Sequence, residues 1–420
     1  MSSAGVAMVP RWIRRRGHFL WPLAVQVCAL AIPFVIIPYL TRVLSAASFG
    51  VFAFSQAFAV IGTAIVDYGF QISATRGLAE IRSDQPAVHE RASGVLTAKL
   101  SIAVLYVAGM FALWPLFPAF FRSPQLVVAA MAFAAFQGLN FYWFFAGLQR
   151  VLTASLLDLL ARGLGALGIL IFVHRANDTL AAVASLAAGG AVAFAVSLLI
   201  AWPKASGFSW SFAEARKSVA GGRHIFVQGL FGNIYVGATS FVLGLFVSPY
   251  FVGIFSAAEK LVRAAQLPLL PIRLVFYPKV LAAIGKSREG GRAQLLRLAG
   301  FVLPVMALGS CVLFVAAAPI VRLVLGAKLA PAADLLRLMA FVPLLSSATD
   351  FISVFWLLSN GRDRIVTAIV VAGLASQILA ITILSLVWPR WAGAGAVALS
   401  QGIVLLLCLW ALGRDARAKT

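Results

Sequence analysis

The sequence predicts an all-α polytopic membrane protein, with about twelve transmembrane helices in two pseudo-symmetric six-helix bundles. Hydrophobic residues make up 62% of the 420 positions and charged residues 11%, whereas soluble domains contain about 25% charged residues. A membrane-spanning helix needs about 20 predominantly apolar residues. Segments of that kind follow one another along the whole chain, and no loop between them is long enough to fold as a soluble domain.

The predicted spans are, in order, residues 19–44, 49–73, 93–120, 125–147, 152–173, 179–201, 223–247, 250–284, 294–318, 331–358, 365–388 and 391–413. Glycine and proline occur inside several of them, which membrane helices tolerate. The basic stretch before the first span is typical of a signal peptide, but the apolar segment that follows is too long, so an uncleaved span is expected.

A weak internal repeat divides these spans into two halves. A shift of 203 positions places residues 50–52 (Gly-Val-Phe) on residues 253–255 (Gly-Ile-Phe). We therefore predict an N-terminal bundle over 1–205 and a C-terminal bundle over 206–420, related by a two-fold axis along the membrane normal. In proteins built from such repeats, the binding site lies near the bilayer midplane between the halves.

The net charge of +21 would suggest nucleic acid as a partner of a soluble protein. Here the cations sort by loop instead. With Arg76, Arg82, Arg91 and Lys99 assigned to the second loop, 23 cations fall on one side of the membrane and 6 on the other. The positive-inside rule then places both termini in the cytoplasm and excludes nucleic acid as the expected partner.

No motif in the sequence predicts a metal, a nucleotide or a disulfide. HExxH and Walker patterns are absent, and no GxGxxG pattern follows a predicted strand. Cys28, Cys311 and Cys408 lie in apolar spans and are expected to be small core residues. We therefore predict no cofactor and no catalytic residues. Any active transport would draw on a gradient, with H⁺ or Na⁺ as the coupling ion.

The eighth span contains the densest set of charges inside the membrane. A charge at mid-bilayer costs about 2.5–3.5 kcal/mol, so it usually faces a cavity or a partner. Glu259, Arg263 and Arg273 share a helical stripe about 80° wide, and Lys260 flanks it. We interpret this stripe as a cationic wall facing the space between the halves. A Glu259–Arg263 ion pair with snorkelling Arg273 and Lys260 is the structural alternative.

Other charged residues in or beside the first half are further candidates. Asp67 and Arg76, nine residues apart, lie on opposite faces of an ideal helix unless the helix breaks near Gly69. Arg42 closes the first span, where an ordinary interfacial arginine is equally expected. Asp67, Glu259 and Asp350 are candidates for a lumenal or ion-coupling carboxylate, with a satisfied buried carboxyl as the alternative for Asp350.

Two other charged pairs are interpreted as structural. Asp158 and Arg162 are four residues apart, and Asp334 and Arg337 are three apart. Such spacings neutralise charge within one helix. The aromatic run at 141–145 is expected to be membrane packing rather than a sugar platform.

Several segments together resemble the bacterial polysaccharide transporter family, the O-antigen and exopolysaccharide repeat-unit flippases of the multidrug/oligosaccharidyl-lipid/polysaccharide (MOP) superfamily. The resemblance is collinear over about residues 19–360. The segments that carry it are Pro38–Leu44 with Phe49-Gly50, Asp67–Phe70 with Ser73–Arg76, Asn140–Gly147, Gly253–Lys260 with Tyr277-Pro278, and Leu325-Gly326 with Leu335–Arg337.

The resemblance implies a non-enzymatic flippase in the bacterial plasma (inner) membrane, with two six-helix bundles around a cationic lumen. Its implied partners are an undecaprenyl-pyrophosphate-linked oligosaccharide, membrane lipids, a polysaccharide polymerase and a chain-length regulator. A substrate-binding lumen would then use Arg42, Arg76, Lys260, Arg263 and Arg273, because Arg and Lys suit phosphate oxygens.

Two alternatives remain at this stage. One is a flippase for another lipid-linked envelope precursor, of peptidoglycan or teichoic acid. The other is a membrane glycosyltransferase or polymerase, which is expected to carry a long extracytoplasmic loop with catalytic acids; no loop here is long enough.

Overall fold

A computed structural model describes residues 11–113, 115, 123–237 and 239–417. Within these residues every regular element is a helix. In the first half the helices are α1 (Arg11–Val43), α2 (Ala46–Asp67), α3 (Phe70–Ile81), α4 (Gln85–Leu113), α5 (Pro124–Gly138), α6 (Tyr142–Gly147), α7 (Val151–Phe172) and α8 (Thr179–Ala201). In the second half they are α9 (Phe212–Gly237), α10 (Thr239–Gly244), α11 (Pro249–Gln266), α12 (Leu269–Lys286), α13 (Arg288–Val315), α14 (Ala317–Val324), α15 (Ala332–Met339), α16 (Val342–Asp350), α17 (Asp363–Val387) and α18 (Ala392–Arg417).

Local sequence explains where several helices begin. The hydroxyl of Ser45 accepts a hydrogen bond from the backbone N–H of Ser48 and so caps α2. Ser123 caps α5 in the same way, with Pro124 as its first residue. Both follow the preference for serine at the N-cap and for proline in the first turn, where the missing N–H costs no hydrogen bond.

The second predicted span is broken at the position that the sequence analysis considered. Tyr68 and Gly69 both adopt left-handed conformations, with φ of 51° and 74°. They end α2 and redirect the chain into α3. Asp67 and Arg76 therefore belong to two different helices.

The eighth predicted span is also interrupted. α11 ends at Gln266, Pro268 stands before α12, and the segments 249–273 and 275–286 are inclined by 47°. Pro268 suits the interruption between α11 and α12, since proline removes a helical hydrogen bond and clashes with the preceding turn.

Irregular winding marks the tenth predicted span. α16 continues into a π-helix over Phe351–Leu357 and a 3-10 turn over Leu358–Asn360. π-Helical turns are rare in proteins, and those that occur are often found at functional sites. The irregular segment follows directly after Asp350.

The helices confirm a polytopic membrane protein. In the described residues ten helical segments are long and apolar enough to span a membrane, or eleven if the bent segment 249–286 counts as one span. The predicted seventh span, 223–247, corresponds to α9 and α10, and residue 238 between them lies outside the described part. Large apolar side chains such as Val315 and Leu386, each 78% exposed, cover the outer surface, where lipid would contact them.

Buried apolar side chains form three clusters, two of them mainly within one half and one shared by both halves. One cluster of buried side chains, including Phe70, Trp143 and Phe144, lies mainly within the first half, with Ala215 of α9 added to it. Another, including Phe351 and Trp356, lies within the second. A third joins both halves. The chain turns at Ser206 and Gly207, which have φ of 55° and 88°, but the division at 205/206 stays a prediction.

The two halves touch through a close, reciprocal helix crossing. A Cβ on Gly50 of α2 would lie 1.8 Å from the carbonyl oxygen of Pro249, and a Cβ on Gly253 of α11 would lie 2.0 Å from that of Ala46. In the 203-residue register Ala46 corresponds to Pro249 and Gly50 to Gly253. The repeat therefore describes a contact that each half makes with the other in the same way.

At the same end of the molecule, two basic side chains form hydrogen bonds between the halves. Arg42 donates a hydrogen bond of 2.6 Å to the carbonyl of Leu323, and Lys328 donates one of 2.8 Å to the carbonyl of Arg42. Towards the opposite end of α2, the ring of Tyr68 stacks on that of Phe226 of α9, with centroids 4.3 Å apart. The halves thus meet at two levels, with space between.

Candidate functional site

A cavity of about 640 Å³ lies between the two halves; we call it the central cavity. Side chains of α1, including Ile32, Ile36 and Leu40, form an apolar wall. The charged residues among its lining are Asp67, Arg162, Glu259, Lys260 and Arg263. The lining is therefore amphipathic: α1 contributes apolar side chains, and α11 contributes most of the charges.

Lys260 links the halves across this cavity. Its ammonium group donates a hydrogen bond of 3.0 Å to the amide oxygen of Gln56 on α2. Gln56 is neutral, so this contact satisfies one donor of the ammonium group without cancelling its charge. Lys260 is therefore a source of positive potential inside the membrane.

Arg263 and Glu259 form the ion pair expected from their spacing. The Nη2 atom of Arg263 lies 2.6 Å from Oε1 of Glu259, and the arginine side chain is 39% exposed. Ser240 and Ser256 lie behind the glutamate, with their hydroxyls 2.7 Å apart. The pair fixes the guanidinium at the cavity surface.

Asp67 is held by a lysine that the sequence analysis assigned to a loop. Lys99 is fully buried, and its ammonium group lies 2.8 Å from the Asp67 carboxylate. It also donates to the carbonyl of Gly138, at 2.7 Å, where α5 ends. A cation suits the negative end of a helix.

The loop assignment of Lys99 was wrong because α4 begins at Gln85 rather than near 93. Lys99 thus lies fourteen residues, or about 21 Å, along the helix. The number of loop cations on the predicted cytoplasmic side falls from 23 to 22. That side still has many more cations than the other, so the predicted orientation is unchanged. Only the earlier start of α4 could have revealed the burial.

A second cavity, of about 620 Å³, lies within the C-terminal half, and we call it the C-half cavity. Arg273 of α12 and Asp350 of α16 face it as an ion pair. Gln266 donates to the hydroxyl of Ser346 at 3.0 Å. Glu259 and Arg263 line both cavities, so the two spaces are adjacent.

The structure therefore separates the eight predicted site residues into three groups. The central cavity brings together Asp67, Glu259, Lys260 and Arg263. Arg273 and Asp350 line the C-half cavity and not the central one. Arg42 and Arg76 line neither cavity: Arg42 binds a carbonyl of the second half, and Arg76 is exposed on α3.

Sequence reasoning also missed residues that line the central cavity. Gln56, Gln137 and Asn140 contribute amides to it, and neutral amides within apolar helices carried no distinctive signal. Arg162 was expected only as the partner of Asp158. It does bind Asp158, at 2.9 Å, and it also lines the cavity.

Metal and disulfide chemistry find no support in the described residues. No three His, Cys, Asp or Glu side chains there gather as a metal site. The three cysteines are free. Cys408 is buried as expected, but the expectation of a core position was wrong for Cys28 and Cys311, which are exposed on the surface of their helices.

The arrangement of helices is similar to that of solved transporter structures. An inward-facing multidrug resistance MATE transporter of the MOP superfamily matches with a TM-score of 0.71 and 14% identity, over 94% of this chain and 98% of the other. The lipid II flippase MurJ in an inward closed conformation matches with a TM-score of 0.72 and 13% identity, over 94% of this chain and 87% of the other. The protein has the MOP transporter fold.

Sequence comparison then gives the family. Residues 18–282 match the family described as polysaccharide biosynthesis protein, and the chain belongs to that family. Proteins named "Putative O-antigen transporter" from Escherichia coli (strain K12) and Shigella dysenteriae are each 24% identical to it. The matches cover 87% and 90% of this chain and 88% and 95% of those proteins. The relatives and structural neighbours are transporters and flippases, and the resemblance seen in the sequence is confirmed.

Proposed function

We propose that this protein is a flippase that moves an undecaprenyl-pyrophosphate-linked oligosaccharide repeat unit across the bacterial plasma membrane, for O-antigen or exopolysaccharide synthesis. The observation that carries the proposal is the central cavity, which Lys260 and Arg263 line together with apolar side chains of α1. The names of the curated relatives and the family support the glycan part of the proposal.

The electrostatics of the central cavity favour an anionic group. Its lining holds three cations and two carboxylates, and Glu259 is already paired with Arg263. Asp67 is paired with Lys99 behind the cavity wall. At an effective dielectric constant of about 20, opposite unit charges about 4 Å apart attract by about 4 kcal/mol. That gain exceeds the cost of about 2.5–3.5 kcal/mol for holding a cation at mid-bilayer.

The apolar wall suits the other part of the proposed substrate. Pyrophosphate and sugar require a polar path, while the polyprenyl chain can remain beside hydrocarbon. Ile32, Ile36 and Leu40 of α1 line the cavity together with the α11 cations. One ligand with an anionic head and a lipid tail would therefore match both surfaces.

In this proposal both termini are cytoplasmic, as the loop cations predict, and the closed crossing at Gly50 and Gly253 faces the opposite compartment. The polymerase and chain-length regulator are proposed partners. A flippase for a peptidoglycan or teichoic acid precursor is the second candidate, because the same cavity chemistry would accept any lipid-linked pyrophosphate or phosphate.

The proposal can be tested with full-length protein in proteoliposomes. The probes are lipid-linked repeat units isolated from the protein's own host and lipid II. We expect wild-type protein to flip the repeat unit faster than lipid II, and Lys260→Gln to slow the repeat unit at least tenfold, the factor that corresponds to about 1.4 kcal/mol.

The matched control removes a cation from outside both cavities. Arg337 is 42% exposed and pairs with Asp334 on α15. Arg337→Gln should flip at the wild-type rate. A wild-type protein that moves neither lipid contradicts the proposal, and faster movement of lipid II selects the second candidate.

A further inference from the structure

The C-half cavity has many polar residues along its lining. It lies among α11, α12, α16, α17 and α18, and half of its 24 lining residues have polar side chains. Its volume of about 620 Å³ falls within the range of about 300–1,000 Å³ typical of small-molecule sites. Polar groups in a membrane interior are costly and usually functional.

The charges of this cavity cancel in pairs. Asp350 is bound by Arg273, and Glu259 is bound by Arg263. Both carboxylates are thus engaged by arginines, which disfavours a resident divalent metal ion in this cavity. The groups that remain are hydroxyls and amides, including Thr349, Ser400 and Gln401.

One hydroxyl is poised for a ligand. Thr349 Oγ1 is buried and has no hydrogen-bond partner among the described residues. It lies one residue before Asp350, at the entry to the π-helix. A buried polar atom of this kind is costly unless it is paired in some state of the protein. Nε of Arg273 is buried without a partner in the same way.

The two cavities share a wall. Glu259 and Arg263 line both, so the C-half cavity adjoins the part of the central cavity beside Lys260 and Arg263. In a lipid-linked glycan, the first sugars are attached directly to the pyrophosphate. They are rich in hydroxyls, which hydrogen-bond to amide and hydroxyl groups in either direction.

We infer that the C-half cavity is a subsite for the sugar residues next to the pyrophosphate of the lipid-linked glycan, with Thr349 as one of its hydrogen-bonding groups. This inference rests on the proposed function. It assigns recognition of the anion to the central cavity and recognition of the glycan to the C-terminal half.

Thr349→Val tests the subsite with little disturbance of the fold. The substitution nearly preserves side-chain shape and breaks no hydrogen bond of the described structure. Its matched control is Thr382→Val on α17, whose hydroxyl bonds the carbonyl of Ile378 on the same helix, outside the cavity. Full-length proteins in nanodiscs are compared for binding of two probes: the lipid-linked repeat unit isolated from the protein's own host, and undecaprenyl pyrophosphate without sugar.

We expect Thr349→Val to weaken binding of the glycosylated lipid by about 2- to 12-fold, the range that corresponds to one neutral hydrogen bond. Binding of undecaprenyl pyrophosphate should be unchanged, and Thr382→Val should bind both probes like wild type. An equal loss for both probes, or no loss for either, overturns the subsite while leaving the proposed function standing. If wild-type protein binds neither probe, the proposed function fails and the subsite fails with it.

Discussion

Substitution of Gly50 by alanine probes the crossing of α2 and α11. The added Cβ would lie 1.8 Å from the carbonyl oxygen of Pro249 and 2.9 Å from the backbone nitrogen of Gly253. Ordinary van der Waals contact begins near 3.4 Å, so the helices must separate by about 1.6 Å at this point. Both nearest atoms belong to backbone, which cannot rotate away as a side chain can.

The Gly50→Ala substitution destabilises only the state in which α2 and α11 are in contact. Overpacking of this kind destabilises by about 1–3 kcal/mol, which changes the ratio of closed to open states by about 5- to 150-fold. A conformation with α2 and α11 apart carries none of this penalty. Gly50→Ala should therefore open this end of the central cavity, which the proposed topology places outside the cytoplasm.

Thiol labelling in intact cells measures the opening. A cysteine replaces Gln56, which lines the central cavity, in a chain whose three native cysteines are changed to alanine. A membrane-impermeant maleimide is then applied from outside. Labelling should be at least 5-fold faster with Gly50→Ala, by the lower bound of the overpacking cost. The reciprocal Gly253→Ala should act in the same direction, since its Cβ would lie 2.0 Å from the Ala46 oxygen.

The control is Gly163→Ala on α7, where an added Cβ meets nothing within 4 Å. It should label at the parental rate. Equal labelling of the Gly50→Ala and parental proteins would refute the reasoning that this crossing closes the cavity.

Three further predictions concern charged groups. Lys99→Met should lower the free energy of unfolding in detergent by about 3–5 kcal/mol, because it leaves a largely buried Asp67 carboxylate unpaired. Thermal melts should show that the Lys99→Met/Asp67→Asn double variant regains much of this stability. A double variant no more stable than Lys99→Met would contradict the pairing. For gradient coupling, which we propose through Asp67 or Asp350, flux in vesicles should lose its dependence on a proton or sodium gradient in one of the two Asp→Asn variants; full dependence in both would exclude these acids. In the loop after α7, hydrogen bonds from the backbone N–H groups of His174 and Arg175 lower the pKa of the Asp178 carboxyl. Its contribution to stability is therefore present above the ordinary carboxyl pKa and lost as the pH falls through the lowered one, so the difference in melting temperature between wild type and Asp178→Asn should vanish in acid and persist at neutral pH.

Local patterns in the sequence predicted local contacts well. The pairs Arg162–Asp158, Arg263–Glu259 and Arg337–Asp334 are all present. Residues three or four positions apart lie on one helix face whatever the helix packs against. Apolar length likewise predicted the spans, because the membrane requires internally hydrogen-bonded helices of about 20 residues.

Contacts between distant segments escaped the same reasoning. Asp67 is paired with Lys99, 32 residues away, and Asp350 with Arg273, 77 residues away. Which carboxylate pairs with which cation depends on how whole helices pack, and one amino-acid sequence is compatible with many such pairings. The same holds for the placement of Arg273 beside the C-half cavity rather than the central one.

The sequence by itself thus determined a polytopic helical membrane protein, its family and the stretch of α11 that faces the central cavity. It also contained the register that relates Gly50 to Gly253, because two similar halves have similar residues at a constant spacing. Only the tertiary structure decided that these two glycines meet, that Lys99 is buried, and that a polar space lies inside the second half. Those features arise from the angles and breaks of helices, at Tyr68-Gly69 and Pro268, which set the direction of every residue that follows.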